Sequence, residues 1–158
     1  MQIIDLLNPE RIACDSSANS KKRVLEQLSA LMADSAPELT EEEIFASLIG
    51  REKLGSTGLG HGVAIPHGRL KGRNQALAAF IKLEHGIDFD ALDNQPVDLL
   101  FALLVPDHFT NEHLEILAQL AQMFDSEELC QELRASRDCH QVLDLLRRWG
   151  PQQTSASA

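Results

Sequence analysis

The run Val97-Asp98-Leu99-Leu100-Phe101-Ala102-Leu103-Leu104-Val105 has one polar member in nine residues, and it constrains the fold more than any other stretch. A strand that faced water on one side would alternate apolar and polar residues. This one does not, so it reads as a strand covered on both faces. Its apolar part is also far too short to cross a bilayer, which takes about 20 residues. Ala76 to Glu84 reads as a second strand, and shorter strands are expected at Arg11 to Cys14 and at Val63 to Pro66.

The covers for such a sheet are legible as amphipathic helices. After Ser20, a candidate N-cap, Val24, Leu25, Leu28, Leu31 and Met32 fall on one face. Thr40 followed by Glu43 forms a capping box, and Ile44, Phe45, Leu48 and Ile49 carry that helix to about Arg51. Asn111 is a plausible N-cap for a helix bearing Leu114, Leu117, Ala118, Ala121 and Phe124, with His113 in its first turn. Asp125 with Glu128 would cap a short helix. Val142, Leu143, Leu146 and Trp149 mark a last one that stops at Gly150-Pro151. Helices interleaved with buried strands predict an α/β fold: a single-domain α/β/α sandwich, its mixed sheet flanked by helices on both sides.

At 158 residues and 44% hydrophobic content the chain can bury one core, and no linker divides it. One domain is expected over residues 1–150, with 151–158 a small, polar, disordered tail. A net charge of −10 without a basic stripe argues against nucleic acid as the main partner. The first residues lack a basic start and a long apolar core, so no secretory signal or membrane insertion is expected and the reading is cytoplasmic. Cys14, Cys130 and Cys139 are scattered, with no C-x-x-C spacing for redox or zinc chemistry.

Chemistry concentrates in Gly55-Ser56-Thr57-Gly58-Leu59-Gly60-His61-Gly62-Val63-Ala64-Ile65-Pro66-His67-Gly68. Glycines let peptide N–H groups converge on an anion, Pro66 stiffens the approach to His67, and Gly68 clears space after it. The run has no Gly-Lys-Ser/Thr ending and does not meet the G-x-G-x-x-G spacing, so nucleotide-binding loops are set aside. A neutral imidazole is a good nucleophile near neutral pH, and phosphoryl transfer asks mainly for alignment and donors around phosphorus. His67 is therefore the candidate phosphoryl acceptor, with Ser56, Thr57, Gly58, Gly60 and Gly68 as the expected phosphate cradle.

Arg51-Glu52-Lys53-Leu54-Gly55-Ser56-Thr57-Gly58, followed by Gly62-Val63-Ala64-Ile65-Pro66-His67-Gly68, resembles the signature of the enzyme IIA components of the bacterial phosphotransferase system. The branch is the mannitol/fructose/nitrogen-regulatory one, and its nitrogen-regulatory members above all; the resemblance covers roughly Met1 to Trp149. It implies that His67 accepts a phosphoryl group from a histidine-containing phosphocarrier protein of the nitrogen branch. It also implies that His113, in Asn111-Glu112-His113-Leu114, is a second active-site histidine that stabilises the phosphoryl oxygens, and that Arg51 assists. Regulated targets such as ion transporters or sensor kinases are implied partners. The alternative within the family is a sugar-specific enzyme IIA that passes phosphate to a IIB domain of a permease.

Read without the family, His113 is better explained as a surface histidine at a helix start. Arg51 at a helix C-terminus would equally complement the dipole. The hydroxyls of Ser56 and Thr57 either meet the phosphoryl group or shape the turn. His61 is given no chemistry. His61, His67, His108 and His113 have no carboxylate or thiolate at a recognisable ligand spacing, so neither a metal nor another cofactor is expected. Two functional classes follow: a phosphocarrier, and a binding module whose partners change with the charge on His67.

Overall fold

The computed structural model describes residues 3–72 and 75–156. After two 3-10 turns at Ile3–Leu6 and Pro9–Arg11, the elements are β1 (Ile12–Ser16), α1 (Lys21–Asp34), α2 (Glu41–Glu52), β2 (Gly58–Gly60), β3 (Val63–Ala64), β4 (His67–Leu70), β5 (Leu77–Ile87), β6 (Val97–Pro106), α3 (Asn111–Phe124), α4 (Glu127–Ala135) and α5 (Cys139–Ala156). The six strands form one mixed sheet in the order β1-β5-β6-β3-β2, with β4 also on β6. β5 runs antiparallel to β6, whereas β3 and β4 run parallel to it. The expected sandwich is present.

Alternation from Leu99 to Val105 on β6 and from Leu77 to Ile81 on β5 builds two cores. Leu99, Phe101, Leu103 and Val105 of β6, with Ala78 and Phe80 of β5, pack with Ile116, Leu120, Met123 and Phe124 of α3 and with α4 and α5. Leu100, Ala102 and Leu104, with Leu77, Ala79 and Ile81, pack with Val24, Leu25, Leu28 and Met32 of α1 and Ile44 and Leu48 of α2. Because side chains of a strand point alternately to opposite faces, β6 needs apolar residues at nearly every position, which is the pattern its sequence shows.

Several local expectations change. The buried stripe of α3 is His113, Ile116, Leu120, Met123 and Phe124, one residue away from the stripe read from Leu114, Leu117 and Ala118; Leu114 is 65% exposed. The helix carries apolar residues around most of its surface, so the 3.6-residue period fits either stripe. The sheet takes the one with the larger side chains. Thr110, not Asn111, precedes the first turn of α3. Ser126, not Asp125, caps α4 by accepting from Leu129 N–H at 3.2 Å. The backbone of α5 continues past Gly150-Pro151 to Ala156, so the helix end expected there is displaced into the segment read as a tail. A proline removes one i→i−4 bond, and a helix can run on across that gap. The Ser20 and Thr40 caps form as expected, accepting from Arg23 N–H at 3.2 Å and Glu43 N–H at 3.1 Å.

Candidate functional site

The strand beside β6 is broken between β3 and β4 at Ile65-Pro66, and the break sets up the site. Pro66 cannot donate to a ladder, so the backbone leaves β6 after Ala64 and rejoins it when His67 pairs with Leu103. At the break His67 Nδ1 lies 2.9 Å from the carbonyl oxygen of Ile65. A carbonyl oxygen only accepts, so the contact is a hydrogen bond with the proton on Nδ1. The lone pair of the neutral ring then sits on Nε2. The ring is neither sealed in the core nor free in solvent.

His113 enters from the first turn of α3. Its ring centroid is 5.4 Å from that of His67, with the two planes at 72° in an edge-on arrangement. The expectation of a surface histidine is overturned, since His113 is 7% exposed and belongs to the buried stripe. Its Nδ1 lies 3.2 Å from Nε of Arg69. Its Nε2 is buried without a hydrogen-bond partner among the described residues.

Burial lowers the proton affinity of both rings. For His67 it outweighs the Ile65 carbonyl, which favours the charged form; the guanidinium charges of Arg51 and Arg69 lower the affinity further, and Glu52 opposes them. For His113 burial acts first, then His67 and Arg69, and together they bring its pKa down to about 4. Both histidines are neutral at pH 7, so a nucleophile and a hydrogen-bond donor stand side by side without competing for a proton.

Arg51 lies in the last turn of α2, and its Nη1 donates to the carbonyl oxygen of Gly55 at 2.7 Å. This puts a guanidinium at the entrance of the Gly-rich loop, close enough to act on His67. The loop is anchored from below by Glu52, a buried carboxylate. It accepts from Thr57 N–H at 3.3 Å and from the Thr57 hydroxyl, and pairs with Lys21 at 3.0 Å.

The expected cradle is not assembled as read. The Thr57 hydroxyl is committed to Glu52. The Ser56 hydroxyl donates to Phe89 O at 2.9 Å and accepts from Gly58 N–H at 3.1 Å. These groups shape the turn and are not free to face an anion. Gly60 pairs with Val63 near the start of β6, whereas His67 pairs with Leu103. At about 3.3 Å per residue that separates the two by well over 10 Å. Gly68 serves packing: a Cβ there would run into the side chain and backbone of Ser47 on α2.

His61 also lies at that far end. Its backbone is held at φ +57 by its N–H to Asp93 at 3.0 Å and by Arg134 Nη2 to its carbonyl oxygen at 2.8 Å. Arg69 was not singled out in the sequence. The available signal was its place two residues after His67, which on a strand means the same face.

Similarity to known proteins gives the family. Residues 5–149 match the family model described as the phosphoenolpyruvate-dependent sugar phosphotransferase system, EIIA 2. A nitrogen regulatory protein of Pseudomonas aeruginosa is 48% identical over 136 residues, covering 86% of this chain and 88% of that protein. One from Escherichia coli K12 is 42% identical over 147 residues, covering 92% and 90%. The crystal structure of the nitrogen regulatory protein IIA-Ntr from Neisseria meningitidis superposes with a TM-score of 0.85 at 43% identity, covering 91% of this chain and 98% of that one. The chain belongs to the EIIA 2 family of the phosphoenolpyruvate-dependent phosphotransferase system, on its nitrogen-regulatory side.

Proposed function

We propose that the chain is the phosphocarrier and regulatory IIA protein of a nitrogen-related phosphotransferase system, and that Nε2 of His67 takes the phosphoryl group from a histidine-containing phosphocarrier protein of the nitrogen branch. The carrying observation is the Ile65 carbonyl on Nδ1, which leaves the Nε2 lone pair as the nucleophile. In the transfer, that lone pair forms a bond to phosphorus as the P–N bond of the donor breaks, and its electron pair returns to the donor ring. A donor phosphohistidine protonated on its other nitrogen leaves as neutral imidazole. The positive charge passes to His67, where the Nδ1–H stays on Ile65 O.

The phosphoryl oxygens are met by His113 and by the guanidinium of Arg51. Arg51 here replaces the glycine cradle as the main source of positive charge, because the Ser56 and Thr57 hydroxyls and the Gly58 N–H are committed to Phe89 O, Glu52 and Ser56. A partner can dock around the acceptor on Leu54 and Leu114, which are 85% and 65% exposed and flank Arg51 and His113 in the chain. Adding a dianion at the centre of that surface favours some partners and repels others. Ion transporters and sensor kinases are the target classes for the regulatory output, and the chain would act in the cytoplasm. Among the described residues no helix is long and apolar enough to cross a membrane.

The test is incubation with a phosphorylated histidine phosphocarrier protein. An acid-labile, base-stable adduct is expected on the wild type and none on His67→Ala, with slower labelling of His113→Ala. Equal labelling of wild type and His67→Ala rejects the assignment. Transfer onward to a IIB domain would instead favour the sugar-specific alternative.

A further inference from the structure

We propose that Arg69 is a positioning residue that locks His113 in the tautomer carrying its proton on Nε2, so that the second histidine can only donate, never accept, at the face turned to the phosphoryl group. The inference deepens the phosphocarrier reading and rests on it for the identity of the anion.

A guanidinium has five N–H donors and no acceptor, and it does not deprotonate. The 3.2 Å contact from Arg69 Nε to His113 Nδ1 is therefore a hydrogen bond only when Nδ1 holds a lone pair. In a neutral ring the proton then belongs to Nε2. That atom is buried and without a partner among the described residues. A buried N–H left unbonded is costly, so its retention beside the acceptor imidazole calls for an anion that arrives only during function.

The opposite tautomer would fail. It would turn a nitrogen lone pair toward phosphoryl oxygens, and an imidazolium would face the Arg69 charge. Arg69 opposes that second outcome as well, since its charge adds to burial and to His67 in keeping His113 neutral; among the described residues, His67 and Arg69 are the titratable and charged groups that act on the ring.

The fold makes the arrangement possible through register. His67 and Arg69 occupy alternate positions of β4, paired with Leu103 and Val105, and so share the face toward α3. Gly68 between them faces α2, where it meets Ser47. One short strand thus presents the nucleophile and the residue that sets its neighbour's proton, while α3 delivers the donor between them. Arg69 is exposed, and Ser47 donates to its backbone oxygen at 3.1 Å, a bond that side-chain replacement leaves in place.

The experiment is a long-range proton–nitrogen NMR spectrum of the histidine rings at about pH 7, with labelling by a phosphorylated histidine phosphocarrier protein alongside. In the wild type, His113 is expected as the pure Nε2–H tautomer. In Arg69→Met, which cannot donate, a substantial Nδ1–H fraction appears, the ring titrates at higher pH, and labelling slows by roughly tenfold, the scale of one charge-assisted hydrogen bond. Arg69→Lys, which still donates, keeps the tautomer and most of the rate. An Nδ1–H ring in the wild type, or Arg69→Met with wild-type tautomer and rate, overturns the proposal. The tautomer spectrum decides it without phosphorylation, so an unlabelled wild type would count against the phosphocarrier reading alone.

Discussion

Lys21 Nζ stands 3.0 Å from Glu52 Oε2, joining the first turn of α1 to the last residue of α2 directly beneath the loop that leads to His67. The Glu52 side chain is 2% exposed, and the ammonium also lies 4.6 Å from the centre of the Phe89 ring. A buried carboxylate is tolerable only when its lone pairs are taken, and here Lys21 and both donors of Thr57 take them.

Removing that acceptor leaves both Thr57 donors without a partner and takes from Lys21 its buried counter-charge, leaving the ammonium with Phe89 O at 3.3 Å and Asp90 at 3.5 Å. Glu52→Ala is expected to destabilise the fold by about 3 kcal/mol, whereas Lys21→Met, at the less buried end, costs about 1 kcal/mol. In urea titrations the double variant should be less destabilised than the sum of the two singles. Strict additivity would mean that the pair is not coupled.

His113 gives stability a pH dependence of defined sign. Its pKa falls from the ordinary 6.5 to about 4 in the folded chain. Between those values the unfolded chain binds a proton that the folded one refuses, so the contribution is whole above pH 6.5 and is lost as pH falls toward 4. The full amount is roughly 3 kcal/mol. Urea unfolding of wild type and His113→Gln at about pH 7 and about pH 4.5 should show the wild type losing more stability on acidification. Parallel losses in the two proteins would place the acid sensitivity elsewhere.

The parts of the site that were legible in the sequence are those set by local chemistry. The Pro66-His67-Gly68 core and Arg51 at the end of an amphipathic helix need only short-range rules, and β6 shows its double burial in its composition. Contacts made across the sheet were not legible. His113 is buried because α3 turns that face to Phe101 and Leu103, which the helix period alone does not choose. Arg69 was missed because β4 is four residues long and carries no strand pattern of its own; it exists as a partner of β6. The bonding of the loop hydroxyls is not legible for a related reason. Glycine marks where a backbone can bend, and whether its neighbours' hydroxyls face an anion or a buried carboxylate depends on Glu52 and Phe89.

Gly68 tests how closely α2 must approach β4. A Cβ at this position would overlap Ser47, so Gly68→Ala should cost about 2 kcal/mol, within the range for overpacking a tight contact. Ser47→Gly should recover part of the loss in the double variant, leaving the remaining contact with backbone. If Gly68→Ala is neutral in thermal melts, the helix can shift without penalty and the placement of Arg51 does not depend on this contact.

His61 separates backbone from side chain as the reason a residue is present. It adopts φ +57 between Gly60 at +98 and Gly62 at +83, a run of left-handed backbone that closes the turn between β2 and β3. The left-handed conformation costs an L-residue roughly 1–2 kcal/mol, while glycine avoids that strain and loses about 0.5–1 kcal/mol through its freer unfolded chain. His61→Gly is therefore expected to change stability by less than about 1 kcal/mol, in the stabilising direction. His61→Val, branched at Cβ, should destabilise by about 2 kcal/mol. Both variants keep the backbone N–H that bonds Asp93 and the carbonyl that bonds Arg134. Because the turn lies beside the start of β6 and His67 lies beside Leu103, His61→Gly should be phosphorylated at the wild-type rate. A slowed rate in a fully folded His61→Gly would assign the imidazole a part in docking or transfer that its position in the sheet does not predict.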